Sequence, residues 1–266
     1  MHRHALAVTV HDPEERLLSR FDPGLADLSA RYPRKCAACS GGTSPRSLSA
    51  LESAGFDVQV SGSAGVGEAR RSAVRGTLSD PSVAWVHYAD LDRLLHWHST
   101  FPAELREVLA YRPQVDYVAL GRTARALRTH PPVQVLAETL TNEAFSTLAG
   151  LEACVDLVAG SCLVSRRGAE LLMQFSIEDS NATDLEWPAL ILRETGTMPE
   201  FRAVEGLEFE TADYYQPEIE QAGSRSAWMS AAYNRPEVWI TRTRLALDSM
   251  AALGRVLGFS DQPVRR

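Results

Sequence analysis

The residues whose types and spacing best suit chemistry are two aspartates, Asp90 and Asp92, which follow the apolar run of residues 83–88. In an extended backbone, side chains two residues apart point to the same side, so both carboxylates are expected together. Paired carboxylate oxygens suit a hard divalent cation such as Mg²⁺ or Mn²⁺, which also holds phosphate oxygens. The pair therefore predicts a metal site. His96 and His98, on the following helix, are candidates for a third metal ligand. A position on the surface of that helix, without a metal, is the preferred interpretation for both.

A second pair of carboxylates, Asp184 and Glu186, lies at the expected start of a helix. A carboxylate in such a position can act as a general base that takes a proton from a hydroxyl group. Acidic residues are also common there because they cap the helix and interact with its dipole. Asp184 is the first candidate for a base and Glu186 the second, and a capping role for either remains open.

A glycine-rich turn at residues 61–67 leads into a helix that carries Arg70 and Arg71. Glycines such as Gly65 let a backbone approach a ligand closely, and the N–H groups of a helix N-terminus bind anions. The turn matches neither a Walker A loop nor a dinucleotide fingerprint. It therefore predicts a phosphate contact only in combination with other features, and a plain tight turn is the alternative.

Strand-like runs at residues 5–10, 34–40, 56–60 and 83–88 alternate with helix-like segments. This alternation predicts an α/β fold with a mostly parallel sheet and helices on both faces. Ligands of such sheets bind at the carboxyl ends of the strands, where His11 and the aspartate pair lie. Pro23-Gly24 is expected to break the first helix, and residues 242–257 form an amphipathic helix near the end of the chain.

Composition limits the classes of function. The 266 residues carry a net charge of -7, which argues against nucleic-acid binding as the main activity. The sequence has no run of about 18 apolar residues and no signal-peptide pattern, so we expect no transmembrane segment. Four dispersed cysteines indicate free thiols and a cytoplasmic protein.

Three segments together resemble the GT-A glycosyltransferases, and most closely the family 2-like group that includes dolichyl-phosphate-mannose synthase-like enzymes. They are the glycine-to-arginine helix start at residues 65–75, the Asp90-Leu-Asp92 motif after its strand, and the strand and loop at residues 155–170. The similarity covers roughly residues 5–200. It implies a GT-A (Rossmann-like) catalytic domain at residues 1–203, with the acidic and aromatic segment 204–266 packed on it.

The resemblance also implies the chemistry. The family transfers a sugar from a UDP- or GDP-linked donor with the help of Mn²⁺ or Mg²⁺, here held by Asp92 with Asp90. Asp184 or Glu186 would deprotonate the acceptor, so that transfer inverts the sugar. The residues expected at the nucleotide and donor sugar are Asp90, Arg70, Arg71, Gly65, Gly160, Ser161 and His11.

Two departures from the family pattern keep other functions open. The first strand ends in His11-Asp12-Pro13-Glu14, and the second ends in Ser40-Gly41-Gly42, where the family has acids that hold the nucleotide. A non-catalytic homologue that binds a nucleotide or sugar is therefore one alternative. A sugar-nucleotide nucleotidylyltransferase is another, although its basic glycine-rich loop after the first strand is missing. The donor sugar and the acceptor are not predicted.

Overall fold

The computed structural model describes residues 4–62 and 65–258. Seven strands form one sheet: β1 His4–Val10, β2 Lys35–Ser40, β3 Asp57–Ser61, β4 Trp85–Asp90, β5 Tyr117–Arg122, β6 Ser161–Ser165 and β7 Glu200–Val204. The α-helices are α1 Leu18–Ala30, α2 Pro45–Ser53, α3 Val66–Leu78, α4 Leu91–Thr100, α5 Pro102–Ala110, α6 Ala124–Leu127, α7 Pro132–Leu148, α8 Arg166–Phe175, α9 Thr183–Thr195, α10 Gln216–Ala222, α11 Arg225–Tyr233 and α12 Pro236–Leu257. A 3-10 turn, η1, covers Thr211–Tyr214.

The strand order is β3-β2-β1-β4-β6-β5-β7. Only β6 runs antiparallel to its neighbours, and every other pairing is parallel. After β1, the chain adds β2 and then β3 on one side of that strand. It then crosses over, and β4 pairs with β1 on the other side. The cleft between the carboxyl ends of β1 and β4 is therefore a topological switch point, where open α/β sheets bind ligands. The predicted mostly parallel α/β architecture is confirmed.

Both faces of the sheet are buried. Leu6 and Val8 of β1 belong to one hydrophobic core, while Ala5 and Ala7 belong to a second core on the opposite face. Helices α1, α4 and α5 cover the first face, and α3, α8 and α9 cover the second. Strands covered on both sides need apolar residues at successive positions, which explains why β1 is a continuous apolar run.

Helix α1 continues through Pro23-Gly24, so the predicted break is wrong. A proline has no N–H to donate and mainly disturbs the preceding turn of a helix. Here the proline lies in the second turn of α1. Burial of Phe21, Leu25 and Leu28 against the sheet offsets that cost.

The C-terminal part of the chain adds helices around the carboxyl edge of the sheet. Phe209, Ala212 and Trp228 form a small third core, and α12 packs along α7 and α9. The amphipathic helix predicted at residues 242–257 begins earlier, at Pro236. Among the described residues, no helix combines the length and the apolar character that a membrane crossing requires.

Candidate active site

Asp90 and Asp92 meet at the switch point, although not as the sequence predicted. Strand β4 ends at Asp90 and α4 begins at Leu91, so Asp92 lies in the first helical turn. The expected extended backbone through both residues is therefore wrong. The turn into α4 nevertheless brings both side chains to the wall of one cavity.

The Asp90 carboxylate is held from several directions. Its Oδ1 accepts hydrogen bonds from Thr9 Oγ1 at 2.9 Å and from the Tyr88 hydroxyl at 2.7 Å. Its Oδ2 lies 3.8 Å from Arg70 Nη2 and 3.4 Å from Arg93 Nε. Burial alone would raise the pKa of Asp90, but the two guanidinium groups outweigh it and lower the pKa. Asp90 is therefore a fixed negative charge at the centre of the site.

Asp92 has the opposite electrostatic character. Burial, followed by the carboxylates of Glu210 and Asp90, raises its pKa to about 7. The Asp92 carboxylate accepts a hydrogen bond from the Arg93 backbone N–H, which lies 2.8 Å from Oδ1. The Tyr214 hydroxyl donates to the Asp92 backbone carbonyl at 2.9 Å. Close carboxylates that repel each other form a site that a cation stabilises.

Two residues of this centre were not predicted from the sequence. Glu210 is buried, and its Oε1 lies 3.8 Å from Arg93 Nε. The Arg93 Nη1 donates to the Ala159 carbonyl at 2.6 Å, so this side chain links α4 to the loop before β6. Glu210 lies more than a hundred residues from Asp92 in the sequence, within the acidic segment that was noted without a role.

Gly160 precedes β6 and Ser161 begins it, next to Asp90. The Asp90 N–H donates to the Gly160 carbonyl at 3.3 Å, and a Cβ on Gly160 would lie 2.6 Å from Asp90 Oδ2. Only a residue without a side chain fits there. The Ser161 hydroxyl instead points into the sheet, where it donates to the Tyr88 carbonyl at 3.1 Å. The structure thus places Gly160, but not the Ser161 side chain, against the carboxylate.

A cavity of about 400 Å³ extends from the aspartates across the ends of β1, β2 and β3. His11 and Ser40 line it, with His11 Nδ1 2.7 Å from Ser40 Oγ. Its size lies within the range of small-molecule sites. The other lining residues are Thr9, Val10, Leu17, Ala38, Ser61, Gly65, Val66, Ala69, Asp90, Asp92 and Arg93.

The glycine-rich N-terminal part of α3, which carries Arg70 and Arg71, is held in place by contacts with other parts of the protein. A Cβ on Gly65 would lie 2.2 Å from the Asp179 carbonyl oxygen, and the Gly67 N–H donates to that oxygen at 3.0 Å. Arg71 binds the same loop through Asp179 Oδ1 at 2.6 Å and lines neither the cavity beside the aspartates nor the one beside Asp184. The close approach that Gly65 allows is therefore to the loop at residues 178–179, although Gly65 also borders the cavity.

The buried Arg70 and the partly buried Asp184 form an ion pair beside the aspartates. Arg70 Nη1 donates to Asp184 Oδ1 at 2.5 Å and to Thr183 Oγ1 at 2.8 Å. Burial raises the pKa of Asp184 to about 6, against the opposing effect of Arg70. A second, smaller cavity of about 60 Å³ touches Asp184, Arg70 and Asp90. Asp184 is thus beside the metal-site residues, as a base would need to be.

Glu186 has a different position. It is 1% exposed, and its carboxylate accepts hydrogen bonds from Ser176 Oγ and from the N–H groups of Ile177 and Glu178, at 2.5 to 3.1 Å. It lines neither of the two cavities. Its oxygens hold the loop that precedes α9.

His96 and His98 also bind other protein groups. His96 is buried rather than on the surface, with Nδ1 2.7 Å from Asp213 Oδ2 and Nε2 3.2 Å from Glu208 Oε1. His98 Nε2 lies 3.1 Å from Asp27 Oδ2. His96 therefore fixes the C-terminal segment that carries Glu210 to the helix that carries Asp92.

The donor set fits a cation that is shared with a ligand. Within residues 4–62 and 65–258, no three His, Cys, Asp or Glu side chains are arranged to hold a metal by themselves. Asp92 and Glu210 offer carboxylate oxygens whose mutual repulsion a cation would relieve. Mg²⁺-type sites often use one or two carboxylates together with phosphate oxygens of the substrate, and these residues suit that arrangement.

Neither the available protein-family models nor the curated proteins match this sequence. Solved structures do match the fold, and several of them are complexes of a glucosyl-3-phosphoglycerate synthase. A mycobacterial protein superposes with a TM-score of 0.58 at 14% identity, over 98% of this chain and 76% of that one. Glucosyl-3-phosphoglycerate synthase from Mycobacterium tuberculosis, in complex with phosphoglyceric acid, gives 0.57 at 11% identity, over 98% and 82%. The same enzyme with Mn²⁺, UDP and phosphoglyceric acid gives 0.57 at 14% identity, over 98% and 80%. At these identities the similarity establishes the GT-A fold.

Proposed function

We propose that this protein is a glycosyltransferase that uses a UDP-sugar donor and a divalent cation. The proposal rests on one observation. Asp90, Asp92 and Glu210 lie close together beside a cavity of about 400 Å³, at the switch point of a GT-A sheet. The neighbour that binds Mn²⁺ and UDP supports the choice of UDP over GDP. The resemblance to dolichyl-phosphate-mannose synthase-like enzymes remains a proposal based on the sequence.

Asp92 and Glu210 would hold the cation, with Asp90 positioned beside them. When bound, the cation supplies electrostatic stabilisation of the diphosphate leaving group. Arg93 lines the same cavity and provides a permanent positive charge next to it. Arg70 does not line this cavity. It lies behind the cavity wall, where it neutralises the charges of Asp90 and Asp184.

Asp184 is the proposed general base. The acceptor hydroxyl oxygen forms a bond to the anomeric carbon of the sugar, while the bond from that carbon to the phosphate oxygen breaks. The hydroxyl proton passes to Asp184, and UDP leaves with the bonding electron pair. A carboxylate with a pKa of about 6 is a stronger base than an ordinary one and is still ionised at neutral pH. Attack from the face opposite the leaving group inverts the sugar.

The proposed catalytic unit extends beyond residue 203, since Glu210 and Tyr214 contribute to the site from the following segment. The cytoplasmic location predicted from the sequence also remains a proposal. It is supported by the buried thiols of Cys36, Cys39 and Cys162.

Calorimetric titration with UDP and GDP, each with and without Mn²⁺, tests the binding part of the proposal. UDP should bind in a Mn²⁺-dependent way, and Asp92→Asn and Glu210→Gln should each remove the dependence. Thermal unfolding of both variants controls for misfolding. UDP binding that ignores both Mn²⁺ and these substitutions would refute the site.

Catalysis needs a separate measurement, because a non-catalytic homologue would also bind UDP. Ser40 at the end of β2 stands where the family has an acid, and this favours the alternative. Release of UDP from UDP-sugars, with an acceptor panel, distinguishes the two. The NMR coupling constant of the anomeric proton in the product reports inversion or retention. Metal-dependent binding without any turnover would support the non-catalytic protein.

A further inference from the structure

Two cavities follow the contact between helices α7 and α12. The small cavity beside Asp184 is lined by Glu138 from α7 and Arg242 from α12. A third cavity, of about 380 Å³, is lined by Val133 from α7 and Trp239 from α12. Residues three to five positions apart on a helix are separated by roughly one turn, or about 5–7 Å along the axis. The third cavity, called here the seam cavity, is therefore the next space along the helix contact from Asp184.

Electrostatics also connect the two spaces. Burial lowers the pKa of Arg242, and both Glu138 and Tyr233 are close enough to oppose that shift. Glu138 lines the small cavity, and Tyr233 lines the seam cavity. The Arg242 guanidinium is thus paired with Glu138, 3.5 Å away, in the wall of the small cavity, and it is within electrostatic reach of Tyr233 in the seam cavity.

The small cavity cannot hold a whole acceptor. Its volume of about 60 Å³ leaves room for only a few water molecules. A hydroxyl group and its carbon fit beside Asp184, but the rest of an acceptor has to extend elsewhere. The cavity of about 400 Å³ shares Asp90 and Arg93 with it, but that space is assigned to the donor. The seam cavity, roughly one turn along α7 and α12, is the other neighbouring space and is several times larger than the small cavity.

The walls of the seam cavity favour a ring. Trp239 is 40% exposed, although the side chain is large and apolar. Its Nε1 donates to Asn234 Oδ1 at 3.3 Å, which fixes the plane of the indole. Tyr233 and Met229 line the same space. Aromatic faces and a thioether pack well against flat or alicyclic groups.

His130 adds a polar feature to this wall. It is 3% exposed, and its Nδ1 lies 3.2 Å from the Ala126 carbonyl oxygen. A carbonyl can only accept, so Nδ1 carries the proton. Burial, followed by the charges of Arg122 and Arg93, lowers the pKa of His130 to about 2 and keeps the ring neutral. Its buried Nε2 has no hydrogen-bond partner among the described residues. An unpaired buried acceptor is costly, and a ligand O–H or N–H would satisfy it.

We propose that the acceptor is an alcohol with a ring-containing body, whose hydroxyl lies beside Asp184 and whose ring lies in the seam cavity against Trp239 and Tyr233. This inference rests on the proposed glycosyltransferase function and adds the class of acceptor. It also separates this chain from the neighbour that binds phosphoglyceric acid, a three-carbon acid that contains no ring.

The test compares two glucosides that differ only in the aglycone, which is an aromatic ring in one and a methyl group in the other. 4-Nitrophenyl β-D-glucoside and methyl β-D-glucoside are titrated calorimetrically into the protein, with and without Mn²⁺ and UDP. The aryl glycoside should bind at least about tenfold more tightly. Trp239→Ala should abolish that preference, and Trp239→Phe should restore most of it. Ile240→Ala is the matched control, because Ile240 is exposed on the same helix and does not line the cavity.

The possible outcomes distinguish a failure of the ring-site inference from a failure of the proposed glycosyltransferase function. Equal affinity for the two glycosides, or a preference that survives Trp239→Ala, would overturn the inference. In a transfer assay with UDP-glucose, the ratio of kcat/KM for the aryl over the methyl acceptor should fall by a similar factor in Trp239→Ala. If UDP does not bind, but the aryl preference persists and depends on Trp239, the proposed function fails while the ring site stands.

Discussion

Replacing Gly160 by alanine tests how closely the backbone before β6 must fit against the Asp90 carboxylate. Gly160 has a φ of +64°, and alanine in this left-handed region costs about 1–2 kcal/mol. For a chain of this size, that cost lowers the melting temperature by about 2–8 °C. The new Cβ would also lie 2.6 Å from Asp90 Oδ2, whereas carbon and oxygen normally stay at least about 3.3 Å apart. The carboxylate must therefore move by roughly 0.7 Å.

A displacement of this size at a reacting centre lowers activity by on the order of tenfold to hundredfold. Gly150→Ala provides the control for the backbone cost alone. Gly150 has a φ of +70°, and an added Cβ there meets nothing within 4 Å. Both variants should lose similar stability by thermal unfolding, but only Gly160→Ala should lose Mn²⁺-dependent UDP affinity and turnover. Equal UDP binding by the two variants would refute the close fit between Gly160 and Asp90.

Three further predictions concern carboxylates. Burial, Glu210 and Asp90 raise the pKa of Asp92 from 3.8 to about 7. The folded protein therefore keeps a proton on Asp92 that the unfolded chain loses between these values, so the contribution of Asp92 to metal-free stability should fall as pH rises through that window. Asp92→Asn should remove this dependence in urea unfolding. With a base whose pKa is about 6, kcat should rise with pH through about 6, and Asp184→Asn should lower it about a hundredfold or more. Glu186→Gln should cost about 1–3 kcal/mol of unfolding free energy, because it weakens a buried acceptor, without changing the UDP affinity.

Each of these has an outcome that contradicts it. If the metal-free stability of the wild type relative to Asp92→Asn does not fall from acid to neutral pH, Asp92 is not held against other carboxylates. An unchanged acid limb in the pH profile of Asp184→Asn would assign the proton transfer to another group. A loss of UDP affinity in Glu186→Gln with unchanged stability would give that residue a direct role in binding.

The first half of the sheet was predictable because its signals are local. The runs that became β1, β2, β3 and β4 are apolar and are separated by turn residues, so each indicates a strand without reference to the rest of the chain. The antiparallel pairing of β6 between β4 and β5 depends on contacts far apart in the sequence, and it was not predicted. Pro23 is the converse case, since its local signal predicted a break in α1 that packing against the sheet overrides.

The site was predictable where its residues follow a strand. Asp90 stands at the end of β4 and was found from its position, while Asp92 was found from its spacing to Asp90 even though the backbone there is helical. Glu210 and Arg242 reach the site only because the C-terminal segment folds back over the carboxyl edge. No spacing in the sequence encodes that return. The acidic character of residues 205–213 was the single available signal.

The origin of Glu210 in a late segment has a consequence for biosynthesis. Asp90 and Asp92 leave the ribosome more than a hundred residues before Glu210. At about 5–20 residues per second, the interval is roughly ten seconds. During that time the parallel half of the sheet can form, but Glu210, the second carboxylate of the proposed cation site, is still absent. The nascent chain can therefore form this half of the sheet before the proposed cation site has both of its carboxylate ligands, Asp92 and Glu210.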